Sequence, residues 1–152
     1  MKELVTLVSL FPKKTEEIAS EVCLKLNKFL LNACDLVDYE LVDKEDMEKN
    51  CGKDYLEKSI NKVLYSITEY ESAIVVVDYD LLFRPKVLER FKERTSIVYL
   101  RLEDFSGQKL LEEREKRLIN NSKLIIDVAK KQEQEIVDEV VKQIMPLIST
   151  EV

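Results

Sequence analysis

Leu4-Val5-Thr6-Leu7-Val8-Ser9-Leu10-Phe11-Pro12-Lys13-Lys14-Thr15 is a nearly continuous apolar run that meets a proline, two lysines and a threonine. Such an unbroken run marks a strand covered on both faces, as in a parallel sheet, because a half-exposed strand would alternate apolar and polar residues. Pro12 suits the first turn of a helix, where its fixed φ is already helical and its missing N–H leaves no gap. Ile18, Val22, Leu26 and Leu30, with Ala19 and Cys23 beside them, then recur at helical spacing, which predicts a helix to about Leu31. The chain therefore opens as strand, tight turn and helix.

The same alternation of periods continues outward. Leu36-Val37 reads as a short second strand, and Leu56, Ile60, Val63, Leu64 and Ile67 stripe a long helix. Ala73-Ile-Val-Val-Val77 is a buried strand, Pro85 opens a short helix through Phe91, and Ile97-Val-Tyr-Leu100 is a strand. Leu110, Leu111 and Leu118 belong to a helix after Gly107, Leu124-Ile-Ile126 is the last strand, and Ile136, Val140, Ile144 and Ile148 stripe the closing helix, with Pro146 in its last turn. Strands that alternate with helices pack as a parallel sheet with helices on both faces. Right-handed crossovers make that sheet doubly wound. The predicted architecture is an α/β fold of three layers with a five-stranded parallel sheet. It forms one domain over 1–148, followed by a flexible tail at 149–152. Ligands of such folds sit at the carboxyl ends of the strands.

Composition narrows the chemistry. The chain has 152 residues, enough to bury a core without staples. Its 45% hydrophobic and 36% charged residues fit neither a disordered chain nor a membrane protein. The net charge of −6 argues against a nucleic-acid partner, which needs a basic face. No apolar run reaches the ~20 residues of a membrane helix. The start, Met1-Lys2-Glu3, has no signal-peptide pattern, and three cysteines without CxxC spacing read as reduced thiols, so a cytoplasmic protein is expected. The absence of histidine removes Ser-His-Asp and Cys-His nucleophiles, histidine bases and histidine-ligated metals. With only Gly52 and Gly107, the chain lacks the usual means of pressing several backbone amides against a ligand.

The predicted strand ends carry the candidate chemistry. A phosphate loop reads Gly-x4-Gly-Lys-Ser/Thr. In that register Lys14 and Thr15 match, while Val8 and Lys13 stand where the glycines belong. Val8 poorly tolerates positive φ, and Pro12 lacks an amide that the nest would use. Lys13 and Lys14 oppose the macrodipole of the helix they open, which suits an anion site or, on the plainer reading, a solvated surface offset by Glu16 and Glu17. Asp38-Tyr39-Glu40 could hold a hydrated Mg²⁺ or a substrate hydroxyl. Val77-Asp78-Tyr79-Asp80 places an acid after an apolar strand, as a Mg²⁺ ligand does in many phosphotransferases. Asp38, Glu40, Asp78, Asp80, Glu103 and Asp104 outnumber Lys13, Lys14, Arg84 and Arg101 on this rim, so a polyphosphate would not be drawn there without metal ions. Tyr65, Tyr70, Tyr79 and Tyr99 are read as core packing rather than as one aromatic surface.

The order of these segments resembles the shikimate kinases, small P-loop kinases of the nucleoside-kinase group. Lys14-Thr15 after the first strand is similar to their phosphate loop. Asp38-Tyr39-Glu40 is similar to their Asp-x-Asp, which implies a Mg²⁺-shell role for Asp38 and a substrate role for Glu40. Gly52-Lys-Asp-Tyr-Leu-Glu57 resembles a Gly-Glu-x-x-Phe-Arg stretch, with Leu56 at the substrate arginine. Ile97-Val-Tyr-Leu100 resembles their Val-Val-Tyr-Leu, and Leu110-Leu-Glu-Glu-Arg-Glu115 leading into Leu124-Ile-Ile-Asp127 resembles the segment whose arginine binds substrate, here Arg114. The departures are consistent. Both loop glycines are missing, Asp78-Tyr79-Asp80 replaces a Gly-Gly-Gly, one substrate arginine is leucine, and little room remains for a lid between Leu100 and Arg114.

Phosphoryl transfer depends on positioning, charge neutralisation and a water-excluding closure. The resemblance with these losses implies a degenerate, catalytically silent protein that acts as a binding or regulatory module for a protein or small-molecule partner. No cofactor is expected. The alternative is an active shikimate-like phosphotransferase using ATP and Mg²⁺, with Lys14 on the phosphates, Thr15 and Asp38 on the metal and Arg114 on the acceptor. A third reading, a receiver domain with Asp78 as phosphoacceptor, lacks the acid pair at the first strand's end, where Ser9-Leu10 stands.

Overall fold

β1 (Glu3–Val8) sends apolar side chains to both faces of a sheet: Val5 and Leu7 to one core, Leu4 and Val8 to the other. β3 (Ser72–Val76) and β4 (Ser96–Arg101) do the same, with Ile74 and Val98 on the first face and Val75 and Tyr99 on the second. β2 (Leu30–Asn32) and β5 (Leu124–Asp127) close the edges. All pairings are parallel, in the order β2-β3-β1-β4-β5. The computed structural model describes residues 3–41 and 43–148; the predicted tail at 149–152 lies outside them.

The helices form the outer layers, as expected of strands alternating with crossovers. α1 (Pro12–Leu26) and α8 (Glu133–Ile148) pack together on the first face through Ile18, Ala19, Val22, Ile136, Val140 and Ile144. On the second face lie α2 (Ala33–Glu40), α4 (Lys53–Ile67), α5 (Tyr79–Leu82), α6 (Val87–Arg94) and α7 (Lys109–Asn121), whose Val37, Leu64, Leu82, Phe91 and Leu118 are buried. The short α3 (Lys44–Cys51) buries no residue of its own and leads through Gly52 into α4. No helix among the described residues is long and apolar enough to cross a membrane.

Three expectations need correction. The second strand is Leu30–Asn32, not Leu36-Val37, which belongs to α2. The first helix ends at Leu26 because Asn27 turns left-handed (φ 54°) and its N–H closes on the Cys23 carbonyl, an end that asparagine tolerates well. The helix near Pro85 begins two residues later, at Val87, after a left-handed Lys86 (φ 70°). Of the four tyrosines read as core packing, Tyr99 is buried and Tyr65 and Tyr79 pack partly buried against the second core, whereas Tyr70, beyond the end of α4, is exposed.

Candidate functional site

The sheet changes winding direction at β1, so the crevice of the fold lies over its carboxyl end. Only Ser9, Leu10 and Phe11 separate β1 from α1. None of them is left-handed; among the described residues positive φ occurs only at Asn27, Gly52, Lys86, Gly107 and Lys130. A phosphate nest needs alternating right- and left-handed residues so that successive amides converge. This turn instead satisfies its own polar groups. The buried Ser9 hydroxyl bonds to the Thr15 hydroxyl and accepts from the Phe11 amide at 2.8 Å. Thr15, 1% exposed, donates to the Phe11 carbonyl at 3.0 Å. Its oxygen is thus engaged within the turn, by the Ser9 hydroxyl and the Phe11 carbonyl.

An aromatic plug covers the turn. Phe105, from the connection between β4 and α7, is buried and stacks on Phe11 with ring centroids 5.8 Å apart. That connection is residues 102–108. It is anchored at several points: Arg101 to Asp104 at 3.2 Å, Ser106 to Asp104 through both hydroxyl and amide, and the Gly107 amide to Glu112 at 2.7 Å. Ser106 holds the Asp104 carboxyl below its ordinary range, first through its hydroxyl and then through its amide. At the same turn, a groove of about 430 Å³ is lined by the apolar Leu10, Phe11 and Pro12 together with Lys13, Lys14, Glu17, Glu103 and Glu133. Two lysines against three carboxylates do not make a trap for polyphosphate.

The remaining candidates are scattered. Asp38 and Glu40 are exposed on α2, one or two turns past the end of β2, and Asp38 pairs with Lys44. The end of β2 is held instead by Asn32, which caps α2 by accepting from the Asp35 amide at 3.1 Å and donates to Glu16 at 2.8 Å. Asp78 caps α5 by accepting from Leu81 N at 2.9 Å. Cys34 lies near it, and its thiol is pushed up by desolvation and then by Asp38, Asp78 and Asp35. Among the described residues no three acidic or thiol side chains are grouped to hold a metal ion. Leu56 is buried in the core.

Arg114 meets a group that sequence reasoning missed. Its guanidinium lies 4.9 Å from the Tyr79 ring centroid, and Tyr79 stacks on Phe83 at 4.5 Å. Arg117 covers Phe83 at 4.5 Å and donates to the Tyr79 hydroxyl at 2.9 Å. Arg84, on the same side, is bound to Glu57 and to Asn61. A second missed cluster stands at the end of β4. Arg101 bridges Glu115 (3.1 Å), Asp127 (2.9 Å) and Asp104, and Glu115 also accepts from the buried Tyr99 hydroxyl. Burial, followed by the bond to Glu115, pushes the Tyr99 phenol well above its ordinary value. The available signal was Tyr99 and Arg101 two apart on one strand, opposite the acids of α7.

No family model matches this sequence, and no curated protein does either. Solved structures do match. The chain is similar to the shikimate kinase of Aquifex aeolicus vf5, with 18% identity and a TM-score of 0.70, over 91% of this chain and 94% of that one. It is similar to the shikimate kinase of Acinetobacter baumannii in complex with shikimate, with 12% identity and a TM-score of 0.75, over 96% and 94%. A dephospho-CoA kinase from Campylobacter jejuni matches with 14% identity and a TM-score of 0.64, over 97% and 98%. At these identities the likeness is one of fold. The chain shares the fold of these kinases: a five-stranded parallel sheet in the order β2-β3-β1-β4-β5 with helices on both faces.

Proposed function

We propose that this chain is a kinase-like scaffold that does not transfer phosphate and serves as a binding or regulatory module. The observation that carries the reading is the closed turn after β1. Its two hydroxyls bond to each other, none of its residues is left-handed, and Phe105 is stacked over it. To receive a triphosphate the turn would have to break the Ser9–Thr15 bond, expel Phe105 and adopt positive φ without glycine. Each of these steps is unfavourable. The connection at 102–108, pinned through Asp104 and Glu112, adds no mobile closure over the crevice. Arg114, which the resemblance makes a substrate ligand, is engaged with Tyr79.

Isothermal titration with MgATP and MgADP, paired with a shikimate phosphorylation assay, tests the reading. The expected result is no saturable binding up to roughly 1 mM, the upper end of ordinary substrate constants, and no turnover. Tight binding with turnover that Lys14→Ala abolishes would overturn it. That outcome would establish the ATP- and Mg²⁺-dependent alternative, with Lys14, Thr15, Asp38 and Arg114 in the roles the resemblance implies.

A further inference from the structure

A cavity of about 760 Å³ lies at the amino ends of the strands, opposite the crevice, and the function proposed above does not use it. Its volume is in the ordinary range of a small-molecule site. Leu4 and Ile97, near the starts of β1 and β4, line it with Lys92 and Arg94 from the last turn of α6, Asn121 from the end of α7 and Lys123 just before β5. Three cations and one carboxylate, Glu93, stand in this lining, whereas the groove at the crevice sets two lysines against three carboxylates. Arg94 turns to Glu69 at 2.8 Å. Lys92 donates to the Asn121 side-chain carbonyl at 3.1 Å, and Asn121 is itself fixed by donating to the Arg117 carbonyl at 2.7 Å. A neutral amide orients the ammonium and leaves its charge uncompensated. Lys123 lines the cavity two residues further on and makes no ion pair among the described residues. The dipole of α6 accounts for Lys92 and Arg94 in its last turn, but Lys123 lies outside any helix. Neutral polar groups complete the lining. The side chains of Ser96 and Asn120 make no hydrogen bond among the described residues. Ser122 commits its hydroxyl to the Leu118 carbonyl at 2.6 Å, and its N–H makes no bond back into α7.

We propose that this cavity binds the phosphate monoester of a small hydroxylated molecule, with the phosphate between Lys92 and Lys123 and the hydroxyls on Ser96 and Asn120. A dianion compensates two ammonium groups that otherwise repel each other, and its bonds to them are charge-assisted. A phosphate alone fills only part of the volume. The rest of the lining is rich in neutral donors and acceptors, which an apolar group would strip of water without replacing the lost hydrogen bonds. A hydroxylated carrier replaces them. Lys92, already held by Asn121, is in place before the ligand arrives, which lowers the cost of ordering it. The six residues of β1 put the cavity about 20 Å from the turn that follows that strand. This inference therefore does not depend on whether the crevice binds a nucleotide.

Amide NMR titrations of the full chain with glycerol phosphate test it, with inorganic phosphate and glycerol as references at constant ionic strength. Saturable shifts are expected at Ser96, Asn121, Ser122 and Lys123, with a Kd of about 1 mM or tighter. Inorganic phosphate is expected to bind about tenfold more weakly, and glycerol not to saturate. Lys92→Ala combined with Lys123→Ala is expected to weaken binding of glycerol phosphate at least tenfold, with unchanged circular dichroism. Lys58→Ala combined with Lys62→Ala removes the same charge from exposed positions on α4 and is expected to leave binding unchanged. Absence of saturable shifts, shifts confined to residues 9–15 at the crevice, or equal losses in the two double variants would each overturn the proposal. So would glycerol phosphate that binds no more tightly than inorganic phosphate, because the hydroxyls would then contribute nothing.

Discussion

Two clusters stand at the carboxyl ends of the neighbouring strands β1 and β4, and they are closed by different forces. The turn after β1 is neutral: Ser9, Thr15 and the Phe11 backbone satisfy one another, and the Phe11–Phe105 stack covers them. The group after β4 is charged: Arg101 gathers Asp104, Glu115 and Asp127, and Tyr99 shares Glu115. The first is held by packing and short local bonds, so its integrity depends on side-chain volume. The second is held by ions that are partly exposed, so its integrity depends on charge and protonation. The first location lies at the crevice of the fold, and here it is the more hydrophobic of the two.

Breaking the neutral cluster should have the larger effect. Phe105→Ala removes a buried ring and leaves a cavity over Phe11, so a loss of about 3–5 kcal/mol is expected in urea unfolding. The charged cluster should give less. Glu115→Ala strands both the Tyr99 hydroxyl and the Arg101 Nε, for an expected loss of about 2 kcal/mol. Glu115→Gln keeps an acceptor and should lose about half of that. If Glu115→Ala exceeded Phe105→Ala, the ranking of packing over charge would be reversed.

The contrast was half legible in the sequence. The apolar run ending at Val8, Pro12 at the helix start and the missing glycines indicated a stiff turn, because each is a local property of the backbone. Phe105 over Phe11 was not legible, since the two rings lie 94 positions apart and meet only once β1 and β4 pair. The same holds for Arg114 and Arg117 on Tyr79. The misplaced second strand has a local cause. Leu26 and Leu30 continue the helical spacing of α1 by coincidence, while Asn27 ends the helix and Leu30–Asn32 is too short to show a period. That slip set Asp38 and Glu40 at a strand end that belongs to Asn32. Asn27 between a charged helix and an apolar triplet was the readable stop signal.

Alkaline pH separates the clusters further. The neutral turn has no titrating group, whereas Tyr99 keeps its proton in the fold well past the ordinary value of 10.0. A phenol whose folded pKa is raised contributes stability that is complete below the unfolded value and is lost as pH rises above it. Cys23, buried on α1, behaves alike over a lower window, its thiol pushed by burial from 9.0 to about 11. In a background with both Cys23→Ala and Cys34→Ala, whose thiols are each pushed up, stability should therefore hold to about pH 10 and then fall, and adding Tyr99→Phe should flatten that fall. An unchanged slope would remove Tyr99 from the charged cluster's energetics.

The smallest effect is expected at Lys14, and the reason sharpens the comparison. In a working phosphate loop this lysine would be indispensable; here it is exposed at the third position of α1, where no acidic residue stands in the first turn. Its charge opposes the helix dipole, an unfavourable interaction of about 0.3–1 kcal/mol. It also stands beside Glu17, Glu103 and Glu133 around the groove, whose mutual repulsion it offsets. The two effects are of similar size and opposite sign. Lys14→Ala should therefore shift urea-unfolding stability by no more than about 0.5 kcal/mol in either direction. Raising the salt concentration should move wild type and variant together, because screening weakens the attraction and the repulsion alike. A loss above about 2 kcal/mol, or a Lys14→Ala chain that releases a bound anion, would show that the neutral turn is organised around a charge after all.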